Sequence, residues 1–192
     1  MSTPPASAST VAHELHPDPK TLTGTSKKEV DYEPKPENSV SISPRQRDII
    51  NSITSLYSGS ASEKDMLVYA EDAVYDDPLS YCDNRYKIAG QWYGIPKLFK
   101  SSKTIATEVV KASPGELVFK LRQEYVLQGG IGSKTVDSLV SLGLEGQDGS
   151  EVVKYHKDMW NEKDYSHQGV GFLFKKLNGD YLTGITQPPE TL

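Results

Sequence analysis

A single cysteine, Cys82, stands in the 192 residues, so the chain closes no internal disulfide and offers no paired thiolates for a structural zinc site. Long apolar runs are missing too. No stretch approaches the roughly 18 apolar residues of a membrane span, and the hydrophobic share is only 36%. Positive charge is scarce: 21 Lys and Arg face 26 Asp and Glu, giving a net charge of -5 and a pI near 5.4. Phosphate surfaces are gripped mainly by Lys and Arg, so nucleic acid and anionic membranes are excluded as main partners. The start lacks the basic and apolar stretches of a secretory signal. It also lacks the Arg-rich, acid-poor make-up of a transit peptide, because the first arginine is Arg45 and both Glu14 and Asp18 precede it. A cytoplasmic protein is expected, with nuclear entry left open.

Apolar residues are sparsest at the beginning. Seven of the twelve prolines fall in the first 44 residues, and Tyr32 is the sole aromatic of residues 1–43. Such a segment buries too little apolar surface to offset the entropy of ordering it. The expectation is a disordered tail over 1–43 and a single domain over 44–192. His13 and His16 are flanked by Pro17 and Pro19 and read as solvated side chains.

The domain opens with capping chemistry. Ser43-Pro44-Arg45-Gln46 supplies an N-cap serine, a proline at the first helical position and a glutamine three residues after the serine. Ile49, Ile50, Ile53, Leu56 and Tyr57 then form one helical stripe. Ser62-Glu63-Lys64-Asp65 starts a second, short helix that presents Met66, Leu67 and Tyr69. From Ala73 to Pro78 the period becomes that of a strand, which the proline must end. Residues 79–93 show no clear period, and Gly94–Phe99 reads as a short helix.

Strands are expected over 104–112, 116–128, 134–145 and 150–160. In the second, Leu117, Phe119, Leu121, Tyr125 and Leu127 share one face, opposite Lys120, Arg122 and Glu124. The breaks Ser113-Pro114-Gly115, Gly129-Gly130-Ile131-Gly132 and Gly146-Gln147-Asp148-Gly149 are turn chemistry. Strands joined by turns this short run antiparallel. The implied class is α+β, with helices on one face of a curved antiparallel sheet. A last amphipathic helical segment begins near Ser166 and is interrupted at Asn178-Gly179.

This order, together with Tyr69-Ala70-Glu71-Asp72-Ala73-Val74-Tyr75-Asp76-Asp77-Pro78, resembles the NTF2-like superfamily, in particular its SnoaL-like and ketosteroid-isomerase-like branch. The resemblance spans about residues 44–160, and the C-terminal stretch beyond it is similar to fungal members. It implies a cone-shaped shell, the sheet curling around the helices and leaving an apolar cavity. It also implies isomerases, cyclases or dehydratases, small-molecule binders, or dimerising modules without chemistry, so fold alone does not decide function.

By that resemblance Asp77 matches the general-base aspartate. A carboxylate at a strand end facing an apolar cavity is desolvated and becomes a better proton shuttle; the alternative is a turn cap at Pro78. An isomerase of this branch also uses a tyrosine of the first helix and an acid. Counting back without a gap, that tyrosine position falls on Ile53, with Tyr57 one turn later. A dehydratase relies on histidines. His156 alternates with Val152, Lys154, Asp158 and Trp160, so His156 and Asp158 are one wall of a pocket or, with Lys154, a surface ladder. His167 reads as the start of the last helix. Tyr57, Tyr75, Trp92 and Tyr125 are the candidate ligand-binding residues, and the aromatic segment around Tyr81, Tyr86, Trp92 and Tyr93 is a lid or a packed loop. No metal spacing, P-loop or dinucleotide fingerprint occurs, so neither metal nor cofactor is expected. The expected partner is a small apolar or aromatic molecule, and the exposed sheet face suggests a homodimer. The rival reading is a dimerising interaction module without chemistry.

Overall fold

The computed structural model describes residues 31–130, 132–160 and 170–192. His13, His16 and His167 lie outside the described residues. Helix α1 (Pro44–Tyr57) starts where the capping chemistry demands: Ser43 Oγ accepts from the Gln46 amide at 3.1 Å, and the Gln46 side chain accepts from the Ser43 amide at 3.0 Å. Its stripe of Ile49, Ile53 and Leu56 is fully buried. Helix α2 (Glu63–Met66) is a single turn capped by Ser62. Strand β1 (Tyr69–Asp76) therefore begins four residues before the expected Ala73. The Val68 carbonyl already accepts from Val153 N at 2.7 Å, so sheet pairing takes over at once.

Strand β2 (Tyr81–Cys82) leads into helix α3 (Arg85–Leu98), capped by Asn84. Residues 85–93 showed no period because this helix is covered on more than one side. Ile88 and Trp92 enter the core, while Gly90 lies against Thr183 of the last helix, where a Cβ would sit 2.9 Å from its methyl group. The aromatic segment is thus a strand and a helix rather than a loop, and Phe99 belongs to the next strand.

Strands β3 (Phe99–Ser113), β4 (Glu116–Leu127), β5 (Ser133–Glu145) and β6 (Val152–Trp160) form the antiparallel run. The full order is β2-β1-β6-β5-β4-β3. β1 lies parallel to β6, so the sheet is mixed where a wholly antiparallel one was expected. Short turns fix direction only between strands adjacent in sequence. β1 reaches β6 through α3 and four intervening strands, and direction is then free. β3 breaks register with β4 three times, leaving Ile105 and Val110 exposed and bending the sheet around the helices.

β6 holds one more irregularity. Gly143 pairs with Tyr155 and Leu144 with Val153, so Lys154 is an extra residue in β6. The bulge puts Val153 on the same face as His156, Asp158 and Trp160, instead of Val152 and Lys154. Helix α4 (Val170–Thr186) runs through Asn178-Gly179 without interruption. The glycine is there for proximity: a Cβ at Gly179 would collide with the Tyr81 carbonyl.

Residues 31–43 contradict the expected disorder. Pro36–Asn38 form one 3-10 turn, Val40 N donates to the Val109 carbonyl at 2.9 Å, and Lys35 N donates to Glu108 Oε2 at 2.7 Å. Tyr32 packs on Val118, Leu139 and Met159 on the outer sheet face, and Glu33 pairs with Arg122. The composition rule sums a whole segment and misses one aromatic anchor flanked by charges that match the sheet. Lys154, for its part, forms an ion pair with Asp72 on the surface, away from His156.

Candidate functional site

The sheet's inner face, α3 and α4 enclose a cavity of about 660 Å³. Tyr57, Tyr75, Asp77, Trp92, Tyr125 and Asp158 all line it. His156 does not; it stands behind them, fully buried.

Asp77 ends the β1 stripe that includes Tyr75. Its Oδ2 accepts from the Tyr75 hydroxyl at 2.8 Å, and its Oδ1 accepts from the amides of Leu79 and Ser80 at 2.6 and 2.5 Å. The residue is therefore a turn cap as well as a cavity wall. Burial dominates its titration and raises its pKa from 3.8 to about 7, against the three hydrogen bonds that favour the charged form. The turn is held from outside by Asn178, whose Nδ2 donates to the Leu79 carbonyl and to Ser80 Oγ, both at 3.1 Å.

A second acid faces the same space. Asp158 Oδ2 accepts from the Tyr57 hydroxyl at 2.6 Å and from Trp160 Nε1 at 2.9 Å. Its Oδ1 is buried with no partner at hydrogen-bonding geometry, although the Ser138 side chain is close enough to favour the ionised form. Burial pushes the Asp158 pKa upward. The Tyr57 proton goes to Asp158, so its oxygen can accept from His156 Nε2 at 3.3 Å, and His156 Nδ1 accepts from the Tyr69 hydroxyl at 2.7 Å. This assigns the Nε2–H tautomer. Burial lowers the His156 pKa from 6.5 to about 3, so the ring is a neutral strut. It packs between Tyr69, stacked at 6.0 Å, and Tyr75, edge-on at 4.9 Å.

Tyr57, one turn after the position counted without a gap, is thus the helix tyrosine that meets an acid. Sequence reasoning missed Tyr69 and Ser138, and nothing in their spacing marked them. Asn178 and Gln91 were missed as well, because each acts through a neighbour: Ser80 Oγ donates to Gln91 Oε1 at 2.9 Å. Cys82 is buried, and burial raises its thiol pKa, consistent with an inert thiol. Among the described residues no group of three His, Cys, Asp or Glu side chains is arranged to hold a metal ion. Among them, too, no helix is long and apolar enough to cross a membrane.

No protein-family model and no curated protein matches the sequence. Solved structures do match in fold. An NTF2-like protein of Anabaena variabilis is 12% identical, with a TM-score of 0.53 over 62% of this chain and 88% of its own. A hexachlorocyclohexane dehydrochlorinase of Novosphingobium barchaimii is 9% identical, with a TM-score of 0.51 over 62% and 85%. A Catenulispora acidiphila protein with a ketosteroid isomerase-like fold, solved with trimethylamine, is 16% identical, with a TM-score of 0.50 over 62% and 85%. The chain has the NTF2-like, ketosteroid isomerase-like fold.

Proposed function

We propose that the protein binds a small apolar molecule in this cavity and moves a proton on it without a cofactor, as an isomerase or dehydratase. The observation that carries the reading is the pair of buried acids, Asp77 and Asp158, on one aromatic-walled cavity. Asp77, with a pKa of about 7, is ionised in a large fraction of molecules at neutral pH and basic enough to take a proton from carbon beside a carbonyl. The developing oxyanion needs a donor. With Asp158 protonated toward the Tyr57 oxygen, the Tyr57 hydroxyl is free to turn to the substrate oxygen. His156 and Tyr69 hold that hydroxyl in place. Asp77 then returns the proton at another carbon in an isomerase, or protonates a leaving hydroxyl in a dehydratase.

The rival reading, a module without chemistry, fits a sealed core better. Phe119 and Leu142 are fully buried, but Tyr125 lines open space. The test uses Trp92 and Trp160, the two tryptophans of the chain, both on the cavity wall. A panel of apolar carbonyl compounds should quench their fluorescence, and Asp77→Asn should change affinity or turnover. A variant that loses about 1 kcal/mol or more of stability while responding to ligands as the wild type does would leave Asp77 a turn cap only.

A further inference from the structure

The cavity has a charge axis. β5 turns one stripe inward, Lys134, Val136, Ser138, Val140 and Leu142, each opposite an inward residue of β4. A lysine opens this otherwise apolar and small-polar row, directly across from Tyr125. Lys134 is the one cation among the described residues that line the cavity, and among them it has neither an ion pair nor a side-chain hydrogen bond. Asp158 pairs with Val140, six positions further along β5, which is about 20 Å of strand. Acids therefore mark one end of the space and a free ammonium the other.

The rim between them is apolar and open. Leu79, Leu98 and Leu127 all line the cavity, yet they are 55%, 58% and 46% exposed. Three half-exposed leucines on one cavity offer apolar surface against which an apolar chain can lie. A permanently ionised anionic group is disfavoured at the inner end, where Asp77 and Asp158 offer carboxyl oxygens and Asp77 is ionised at about pH 8. Beside Lys134 it is attracted.

We propose that the ligand is an elongated, largely apolar molecule with one anionic end, seated with its neutral end at Asp77 and Asp158 and its anion at Lys134. This rests on the cavity being the binding site, as proposed above. Such a molecule presents an uncharged carbonyl or hydroxyl to the two acids, and the lysine fixes which end enters.

The test compares decanoate with decan-1-ol, which share a chain and differ in charge, at about pH 8, where the acid is ionised. Quenching of Trp92 and Trp160 in the full chain reports binding. Decanoate should bind about fivefold more tightly than decanol at low ionic strength, and added salt should erode the preference. Lys134→Gln should abolish it without changing decanol affinity. Leu127→Asp should weaken both. Equal affinities in the wild type, or a preference that survives Lys134→Gln, overturn the proposal alone. An unchanged response in Leu127→Asp also overturns it, since the chains then sit elsewhere. Quenching by neither molecule overturns it together with the binding-site reading.

Discussion

Asp77 and His156 are buried to similar effect and pull stability in opposite directions. The native Asp77 carboxyl, with its pKa raised to about 7, keeps a proton that the unfolded chain releases near 3.8. Its contribution is full below about pH 4 and is lost as pH rises through 7. Native His156, lowered to about 3, stays neutral where the unfolded ring takes a proton near 6.5. Its contribution is full above about pH 6.5 and is lost as pH falls through 3. Between pH 4 and 6.5 the two oppose each other. Asp77→Asn removes one side, so the variant should gain on the wild type by up to about 4 kcal/mol from pH 4 to 8. Urea unfolding at several pH values checks this; parallel curves would show that Asp77 does not hold the proton. At this scale the sequence was half legible. Asp77 and Tyr75 fall on one face by the period of two, which needs no tertiary knowledge. The Tyr57–Asp158 pair joins residues 101 apart in sequence, and only the packed helix decides that Tyr57 rather than Ile53 meets the acid.

Helix α4 binds the rest of the domain through Gly179 and polar groups of its C-terminal half. Gly179 touches the Tyr81 carbonyl, Asp180 pairs with Lys87 at 2.7 Å, and Lys97 Nζ donates to the Thr186 carbonyl at 2.7 Å. Two glycines of this helix should answer substitution with opposite signs. Gly179→Ala drives a methyl into backbone and should cost about 1–3 kcal/mol. Gly184→Ala meets nothing within 4 Å and should stabilise by about 0.5–1 kcal/mol, because alanine loses less entropy in a helix. Denaturant midpoints of the two variants decide it; a neutral Gly179→Ala would mean that α4 sits further from β2. Since Asn178 latches the Asp77 turn, Gly179→Ala should also weaken ligand binding. The starts of α1 and α2 were legible because caps are local: Ser43 and Ser62 each bond within three residues. Helix α3 was not, because a helix covered on several sides has no single stripe to read.

The domain is larger than its capped start suggests, since residues 31–43 belong to it. Lys120 and Arg122, expected to face a second copy, are engaged within the chain: Lys120 with Glu108 at 3.1 Å and Arg122 with Asp137 at 2.7 Å and Glu33 at 3.2 Å. Tyr32 covers Val118, Leu139 and Met159. A chain beginning at residue 44 should therefore melt several degrees below one beginning at residue 31, since even one uncovered aromatic contact is worth about 1–3 kcal/mol. It should also self-associate more readily through the bared face, as sedimentation would show. Equal melting points and equal masses would mean that the segment adds nothing. Composition averages hide such a strap, whose anchoring rests on one tyrosine and a few charges.

The extra residue in β6 has a consequence for how this chain is matched to others. Lys154 acts as a parity switch: remove it, and every residue on its N-terminal side changes face relative to His156 and Asp158. A gap placed anywhere else in this strand would exchange Val153 for Val152 in the core and lose the site from view. Chains that share the acid pair should carry an insertion at this point, and those without it should bring a different set of side chains to the same cavity.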